Sequence, residues 1–296
     1  MTNFPHADRL LRDEPLAKYT AARLGGAADY VYIARESARE LSDVLQAAWA
    51  QNTPVRVLGG GANVLVSDTG WRGLIVINKV SEAAFKESQV VVTSGYALTV
   101  LARKCAAQGL AGFEWAASVP GTIGGAVVNN AGAHGGDMAS NVHTVTICDA
   151  EKGVQVLSKA ALGFAYRTSA LKARTDRRFL VLMATLDLQR GDPNAISAKI
   201  DEFVAYRKRT QPPGASLGSI FKNPPGDYAG RLIESVGLKG YSIGGAQVSP
   251  IHANFFINTG AATAGDYYAL IQHVREQVAR ATGVELETEI EILGEF

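Results

Sequence analysis

Short apolar or alternating runs recur along most of the chain, and they predict strands. Residues 29–34 (DYVYIA) alternate and are rich in β-branched and aromatic side chains. Residues 55–58, 64–66, 74–77 and 89–94 are further short strands. Residues 142–150 and 154–158 predict a hairpin across Glu151-Lys152-Gly153, and 179–189 a long alternating strand. Two more strands fall at 254–258 and 286–293, the second (LETEIEIL) alternating acidic and apolar residues. Helical spacing is rarer. Ser37 and Glu40 form a capping box that opens a helix to about Gln51. Residues 97–108 are amphipathic and closed by Gly109. Helices follow at 194–209, 228–236 and 264–281, the last with Tyr268, Ile271, Val274 and Val278 on one face. The class is α+β.

One segment fits neither pattern. Residues 115–136 (WAASVPGTIGGAVVNNAGAHGG) carry no charged side chain but six glycines, at 121, 124, 125, 132, 135 and 136. A membrane span would be more apolar and would avoid Asn129 and Asn130. A buried helix would not carry so many glycines, each costing about 1 kcal/mol against alanine. Two readings stay open: a backbone that approaches a nucleotide-type cofactor through its N–H groups, and a tight packing corner between domains.

Composition narrows the classes. The 296 residues suggest about two domains. Hydrophobic residues make up 47%, enough for sizeable cores. With 29 basic and 28 acidic residues the net charge is +1, which argues against a nucleic-acid binder. Cys105 and Cys148 fit neither a metal spacing nor a disulfide framework, so a reducing, cytoplasmic setting is expected. The first residues carry charges where a signal peptide needs an apolar run, and no transmembrane segment is expected. Composition shifts at 210–214 (TQPPG), a domain boundary.

Candidate chemistry is scattered. Residues 57–63 (VLGGGAN) run a strand into a glycine turn, the shape of a phosphate-contacting loop or of a plain tight turn. The turn lacks both the G-x-G-x-x-G and the Walker pattern. With the segment above, two such loops would flank one pyrophosphate. Ser219 lies between Gly218 and Lys222-Asn223-Pro224, without the elbow of a hydrolase. It reads as a turn serine or as a proton donor assisted by Lys222. Arg167 offers a fork for a carboxylate or a surface ion pair. Glu287, Glu289 and Glu291 share one face by period two, and a solvated face explains all three. His134 faces a cofactor or solvent, His252 reads as a structural hydrogen-bonder, and no histidine cluster suggests a metal.

The ordered set of motifs resembles the UDP-N-acetylenolpyruvoylglucosamine reductase family. It runs through Tyr19-Thr20, Arg23-Leu24-Gly25-Gly26, Leu58-Gly59-Gly60-Gly61-Ala62-Asn63 and Ser118-Val119-Pro120-Gly121-Thr122-Ile123-Gly124-Gly125-Ala126. It continues through Asn130-Ala131-Gly132-Ala133, Tyr166-Arg167-x-Ser169, Gly218-Ser219-x-Phe221-Lys222-Asn223-Pro224, Gly237-Leu238-Lys239-Gly240, His252-Ala253-Asn254 and Leu286-Glu287-x-Glu289. Only a short stretch separates Arg167 from the third domain, so the chain is similar to the family's shorter form, without an inserted tyrosine loop. It departs at Asn129, where an apolar residue is usual, and at His134, where tyrosine is common.

The resemblance implies a flavin fold of the vanillyl-alcohol-oxidase type. Lobe one would be residues 1–80 joined by the strand 285–296, lobe two 81–209, and a substrate domain 210–284. It implies non-covalent FAD, NADPH as reductant, and a UDP-sugar enolpyruvyl ether as substrate. FAD would meet Leu58 to Asn63, Ser118, Val119, Pro120, Gly121, Gly124, Gly125, Asn130, Ala131 and Gly132. Arg167, Glu289 and Ser219 would be catalytic, the first two stabilising an enolate and Ser219 giving the proton. Tyr166, Lys222, Asn223, Arg231, Lys239 and His252 would hold substrate. No nucleic acid, membrane insertion or metal is implied, and a monomer is favoured. The competing functions are a flavin-dependent alcohol oxidase or dehydrogenase of the same fold, and a non-catalytic nucleotide-binding regulator. Neither needs the Ser-x-Phe-Lys-Asn-Pro segment.

Overall fold

The expected helices and most of the expected strands form with ends shifted by a residue or two; the strand expected at 74–77 begins at Trp71, and the expected final strand is cut short. The run at 29–34 lies in the strand Ala27–Ala34, and Val55–Leu58 pairs in parallel with Trp71–Asn78 from Val55 opposite Leu74 to Leu58 opposite Ile77. The helix Ala38–Ala50 begins at Ser37, whose hydroxyl accepts from Glu40 N at 3.1 Å. Only this half of the capping box holds. The Glu40 carboxylate turns to the backbone N–H groups of Arg35 and Glu36 and to the Tyr32 hydroxyl.

The computed structural model describes residues 4–296. Residues 1–3, part of the first expected lobe, lie outside the described residues. The chain divides into two units. The first takes Met1–Arg12, Tyr30–Gly60 and Gly73–Tyr206, and the second Asp13–Asp29, Gly61–Arg72 and Arg207–Phe296.

The first unit is built on a five-stranded antiparallel sheet. Its order is Gly153–Ser158, Val142–Asp149, Phe179–Asp187, Gln89–Thr93, Ala83–Lys86. The predicted hairpin is present, closed by Gly153 at φ +67° and by Asp149, which accepts from Glu151 N and Lys152 N. The expected unbroken alternation of 179–189 fails for a physical reason. Thr146 pairs with Met183 and Ile147 with Val181, so one extra residue bulges the strand. A bulge inverts the period of two. Val181 before it and Ala184 and Leu186 after it therefore enter one core, with Leu101, Cys105, Ile123 and Val127 of the helices Leu98–Ala107 and Ile123–Asn129. Leu180 and Leu182 enter another core, with Cys148 and with Leu41, Val44 and Leu45 of Ala38–Ala50. Cys105 and Cys148 are buried, unbridged, in different cores.

The second unit holds a four-stranded antiparallel sheet in the order Ala215–Ser219, Phe255–Asn258, Ala246–Val248, Ser242–Ile243. The helices Ala229–Ser235 and Ala264–Thr282 contribute Leu232, Ile233, Leu270, Ile271, Val274 and Val278 to its core. Tyr267, not Tyr268, is the buried tyrosine of the long helix, because the buried stripe steps 267, 271, 274, 278. Its hydroxyl donates to Phe256 O at 2.7 Å, and burial pushes the phenol's pKa up. The expected final strand is shorter. Only Glu291–Leu293 forms a strand, parallel to Val64–Val66. Leu286 and Ile290 are buried and Glu289 is half-buried, while Glu287 and Glu291 are exposed, so the three glutamates do not share one solvated face. Among the described residues no helix is long and apolar enough to cross a membrane.

Candidate active site

In the first unit the two glycine loops meet. A Cβ on Gly59 would stand 2.1 Å from Thr122 Oγ1, and one on Gly60 would stand 3.1 Å from Gly121 Cα. Only glycine lets the loop after Leu58 lie on the loop after Pro120. The second loop is fastened in turn: Leu98 N donates to Gly121 O, Ile123 N to Tyr96 O, and Gly124 N to Ser94 O at 2.8 Å. The glycines 124 and 125 then divide. A Cβ at Gly124 would meet Ser94 Cβ at 2.9 Å, so the protein itself excludes a side chain there. At Gly121 and Gly125 an added Cβ meets nothing within 4 Å. Those two present bare, unobstructed backbone, and Gly125 and Pro120 are exposed. An uncharged loop with open glycine faces fits a bulky cofactor such as FAD.

The remaining first-unit candidates form a second group. Asn130 is 4% exposed and left-handed, at φ +43°. Its amide is engaged within the protein, with Nδ2 donating to Ala165 O at 3.0 Å and Oδ1 accepting from Ala139 N at 2.9 Å. Its side chain therefore anchors the neighbouring turn. In that turn Ala165 and Thr168 exchange both backbone bonds, with Tyr166 and Arg167 at its tip. Arg167 is also left-handed, at φ +56°, a conformation a bulky residue holds only when its surroundings impose it. Arg167 Nη2 donates to Gly132 O at 2.9 Å, so one arm of the fork is used internally. Lys172 Nζ donates to Arg167 O, and buried Ser169 ties the turn to Val128 O at 2.7 Å. Tyr166 is exposed. His134 lies 3.2 Å from Ser118 Oγ through Nε2 and stacks on Phe203 with centroids 4.1 Å apart.

In the second unit Gly61, at φ +60°, lies under Tyr19 O, where a Cβ would stand at 2.0 Å. Ala62 and Asn63 follow it, and Asn63 Nδ2 donates to Glu289 O at 3.3 Å. Ser219 sits just past an irregularity. Ser216 pairs with Ile257 but Ser219 with Phe255, and Gly218 takes φ +75°. The extra residue re-aims Ser219. The next residues bond to the segment of Glu289: Glu289 N donates to Ile220 O at 2.8 Å and Lys222 N to Glu287 O at 2.9 Å. Ser219 and Glu289 thus belong to two adjoining stretches of backbone. The Lys222 ammonium is paired with the exposed Glu287 carboxylate.

The other expected substrate contacts are likewise held. Arg231 pairs with Asp227, and its hydrogen bond holds that carboxyl down at about 2. Lys239 lies 2.7 Å from Glu234. Asn223 is exposed, and its Oδ1 accepts from Ala229 N. Burial lowers the His252 pKa, and its Nδ1 accepts from Asn254 N at 3.2 Å. Two residues given no role in the sequence reading matter here. Thr122 fills the space over Gly59, and Asn254, 3% exposed, brackets Phe221. Nothing in the sequence marks either beyond membership of a motif.

Comparisons with known proteins agree with this geometry. Residues 30–158 match an FAD binding domain, and residues 210–293 match the UDP-N-acetylenolpyruvoylglucosamine reductase C-terminal domain. A reductase of that name from Listeria welshimeri is 40% identical over 99% of this chain and 97% of its own length. One from Symbiobacterium thermophilum is 43% identical over 97% of this chain and 92% of its own length. The crystal structure of the Thermus caldophilus reductase superposes with a TM-score of 0.83 at 34% identity, covering 97% of this chain and 99% of that one. The fold is α+β with a vanillyl-alcohol-oxidase type of FAD-binding part. The chain belongs to the UDP-N-acetylenolpyruvoylglucosamine reductase family, and it is an FAD-dependent oxidoreductase.

Proposed function

We propose a division of labour among this chain's residues for the family's reaction. That reaction is the NADPH-dependent reduction of UDP-N-acetylglucosamine enolpyruvate to UDP-N-acetylmuramate, in peptidoglycan precursor synthesis. FAD, when bound, supplies hydride transfer from NADPH to the vinyl carbon. The backbone of Leu58 to Asn63, of Ser118 to Gly121, of Gly124 and Gly125, and of Asn130 to Gly132 would hold its diphosphate without fixed charge. Residues 1–80, 81–209 and 285–296 carry the flavin, and residues 210–284 hold the UDP-sugar.

Hydride arriving at the vinyl carbon leaves negative charge on the α-carbon, spread into the carboxylate. Arg167 meets that carboxylate with planar donors. Glu289 hydrogen-bonds to the same group. Ser219 delivers a proton to the α-carbon, which completes the C–H bond and discharges the enolate. Tyr166, Lys222, Asn223, Arg231, Lys239 and His252 contact the UDP-sugar. The protein works in the cytoplasm as a monomer, without a nucleic-acid partner.

The observation that carries this reading is the pairing of residues 220–222 with 287–289. It supports Ser219 and Glu289 acting on one group. Ser219→Ala tests it because it separates the half-reactions. NADPH should bleach the flavin at the normal rate. Return of colour with the enolpyruvyl substrate should slow by about 10²–10⁴-fold. Equal slowing of both stopped-flow traces, or of neither, would make Ser219 a turn serine.

A further inference from the structure

The segment that carries Ser219 is held in place by a side chain that has no place in the chemistry above. Asn254 immediately precedes the strand Phe255–Asn258 and is 3% exposed. Its Oδ1 accepts from Phe221 N at 2.9 Å, and its Nδ2 donates to Phe221 O at 2.8 Å. Its own carbonyl accepts from Ile220 N at 2.9 Å. The amide thus behaves as an extra peptide group, giving both partners to Phe221, which lies beyond the end of the strand Ala215–Ser219.

The opposite side of the same segment bonds to Glu287 and Glu289. Ile220 to Lys222 is therefore clasped from both sides, by Asn254 and by the chain from 287 to 289. Ser219 enters this clasp with a left-handed glycine behind it, at Gly218.

We propose that Asn254 is a positioning residue for proton delivery. Its amide fixes the Phe221 peptide and thereby sets Ser219 and Glu289 in register with each other. The inference rests on Ser219 being the proton donor. Asn254 touches no reacting atom. Phe221 presents one donor and one acceptor, and the Asn254 amide answers both with its separate oxygen and nitrogen.

Asn254→Asp is the sharpest test when measured at a pH where the carboxyl is ionised, since it preserves size and the acceptor but then cannot donate to Phe221 O. In the FAD-loaded protein, NADPH should bleach the flavin at the normal rate. Re-oxidation at saturating enolpyruvyl substrate should slow by about 10–100-fold, less than the full loss of a general acid, with substrate affinity little changed. Because Asn254 acts through Ser219, the double variant S219A/N254D should be no slower than S219A. Multiplying effects, or a loss confined to substrate affinity, would overturn the proposal. If S219A slows re-oxidation and N254D does not, the positioning role alone fails. If S219A does not slow it, the donor reading itself fails.

Should N254D not fold, Asn254→Ser, smaller and lacking both bonds, is measured in its place with the same expectation. Amide exchange in the unaltered protein gives a reading independent of activity. Phe221 N–H should exchange as slowly as the amides of the neighbouring sheet, and rapid exchange would also overturn the proposal.

Discussion

The first-unit loops and the second-unit clasp solve different problems with different residues. Around Gly59 and Gly121 the sequence removes side chains, so that two backbones touch and bare peptide is left at Gly121 and Gly125. Around Ser219 it adds hydrogen-bonding groups, and Asn254 and the stretch 287–289 take up the backbone on both sides. The first arrangement suits a large ligand held by shape and N–H groups. The second suits one atom that must be aimed. Substitutions in the first should therefore act through cofactor affinity, and those in the second through rate or local stability.

Arg167 blurs that line, because it is an aimed side chain in the first unit. Its turn is fixed by Asn130, Ser169 and Lys172, and its φ is +56°. Arg167→Lys keeps the charge but loses the planar fork. Turnover should fall by about 1.5–3 kcal/mol of transition-state stabilisation, the worth of one charge-assisted hydrogen bond. FAD affinity should not change. Steady-state kinetics beside a flavin titration measure both. Unaltered turnover would return Arg167 to a structural role, and loss of FAD would place it with the glycine loops.

Gly124 and Gly125 sharpen the contrast within one turn of helix. Gly125→Leu enters open space, so the protein without FAD should gain up to about 1 kcal/mol from better helix propensity. FAD binding should weaken by about 1–3 kcal/mol, as for overpacking. Gly124→Leu runs into Ser94 and should destabilise the protein itself by a similar amount. Thermal midpoints without FAD and flavin titrations of both variants separate the two. Normal FAD affinity in Gly125→Leu would mean that the open face is not the cofactor's.

Much of this was legible in the sequence. Periodicity found five helices and most strands to within two residues, because those elements bury one face on a regular period, but it missed the helix Ile123–Asn129 inside the glycine segment. It failed where the period breaks. The bulge between Val181 and Met183 and the irregular run Leu286–Ile290 answer to partners far along the chain. The glycine segment left two readings open, a cofactor approach and a packing corner, and its letters alone could not say which glycines are crowded. Gly59 and Gly124 are packing glycines, while Gly121 and Gly125 are open. Asn130 and Asn254 show what a motif alone cannot tell, because a buried amide turned inward has the same letter as one turned to a ligand.

The smallest expected effect lies at the edge of the second-unit clasp. Burial lowers the His252 pKa, a hydrogen bond to its own backbone opposes this, and Lys239 and Glu234 add smaller effects of opposite sign, down and up. The neutral ring accepts the Asn254 N–H at Nδ1, so acid must add its proton where that bond is made. With the folded pKa below the ordinary value of about 6.5, the unfolded chain binds this proton first. His252 therefore contributes full stability above about pH 6.5, and loses it as pH falls toward the lower folded value. The loss should be about 0.5–1.5 kcal/mol, the net worth of one hydrogen bond. His252→Asn keeps an acceptor near the Nδ1 position but cannot titrate there. Denaturant midpoints at about pH 7.5 and pH 5.5 should converge for the variant more than for the unaltered protein. An equal acid shift in both would assign the loss of stability to other groups and detach His252 from the clasp.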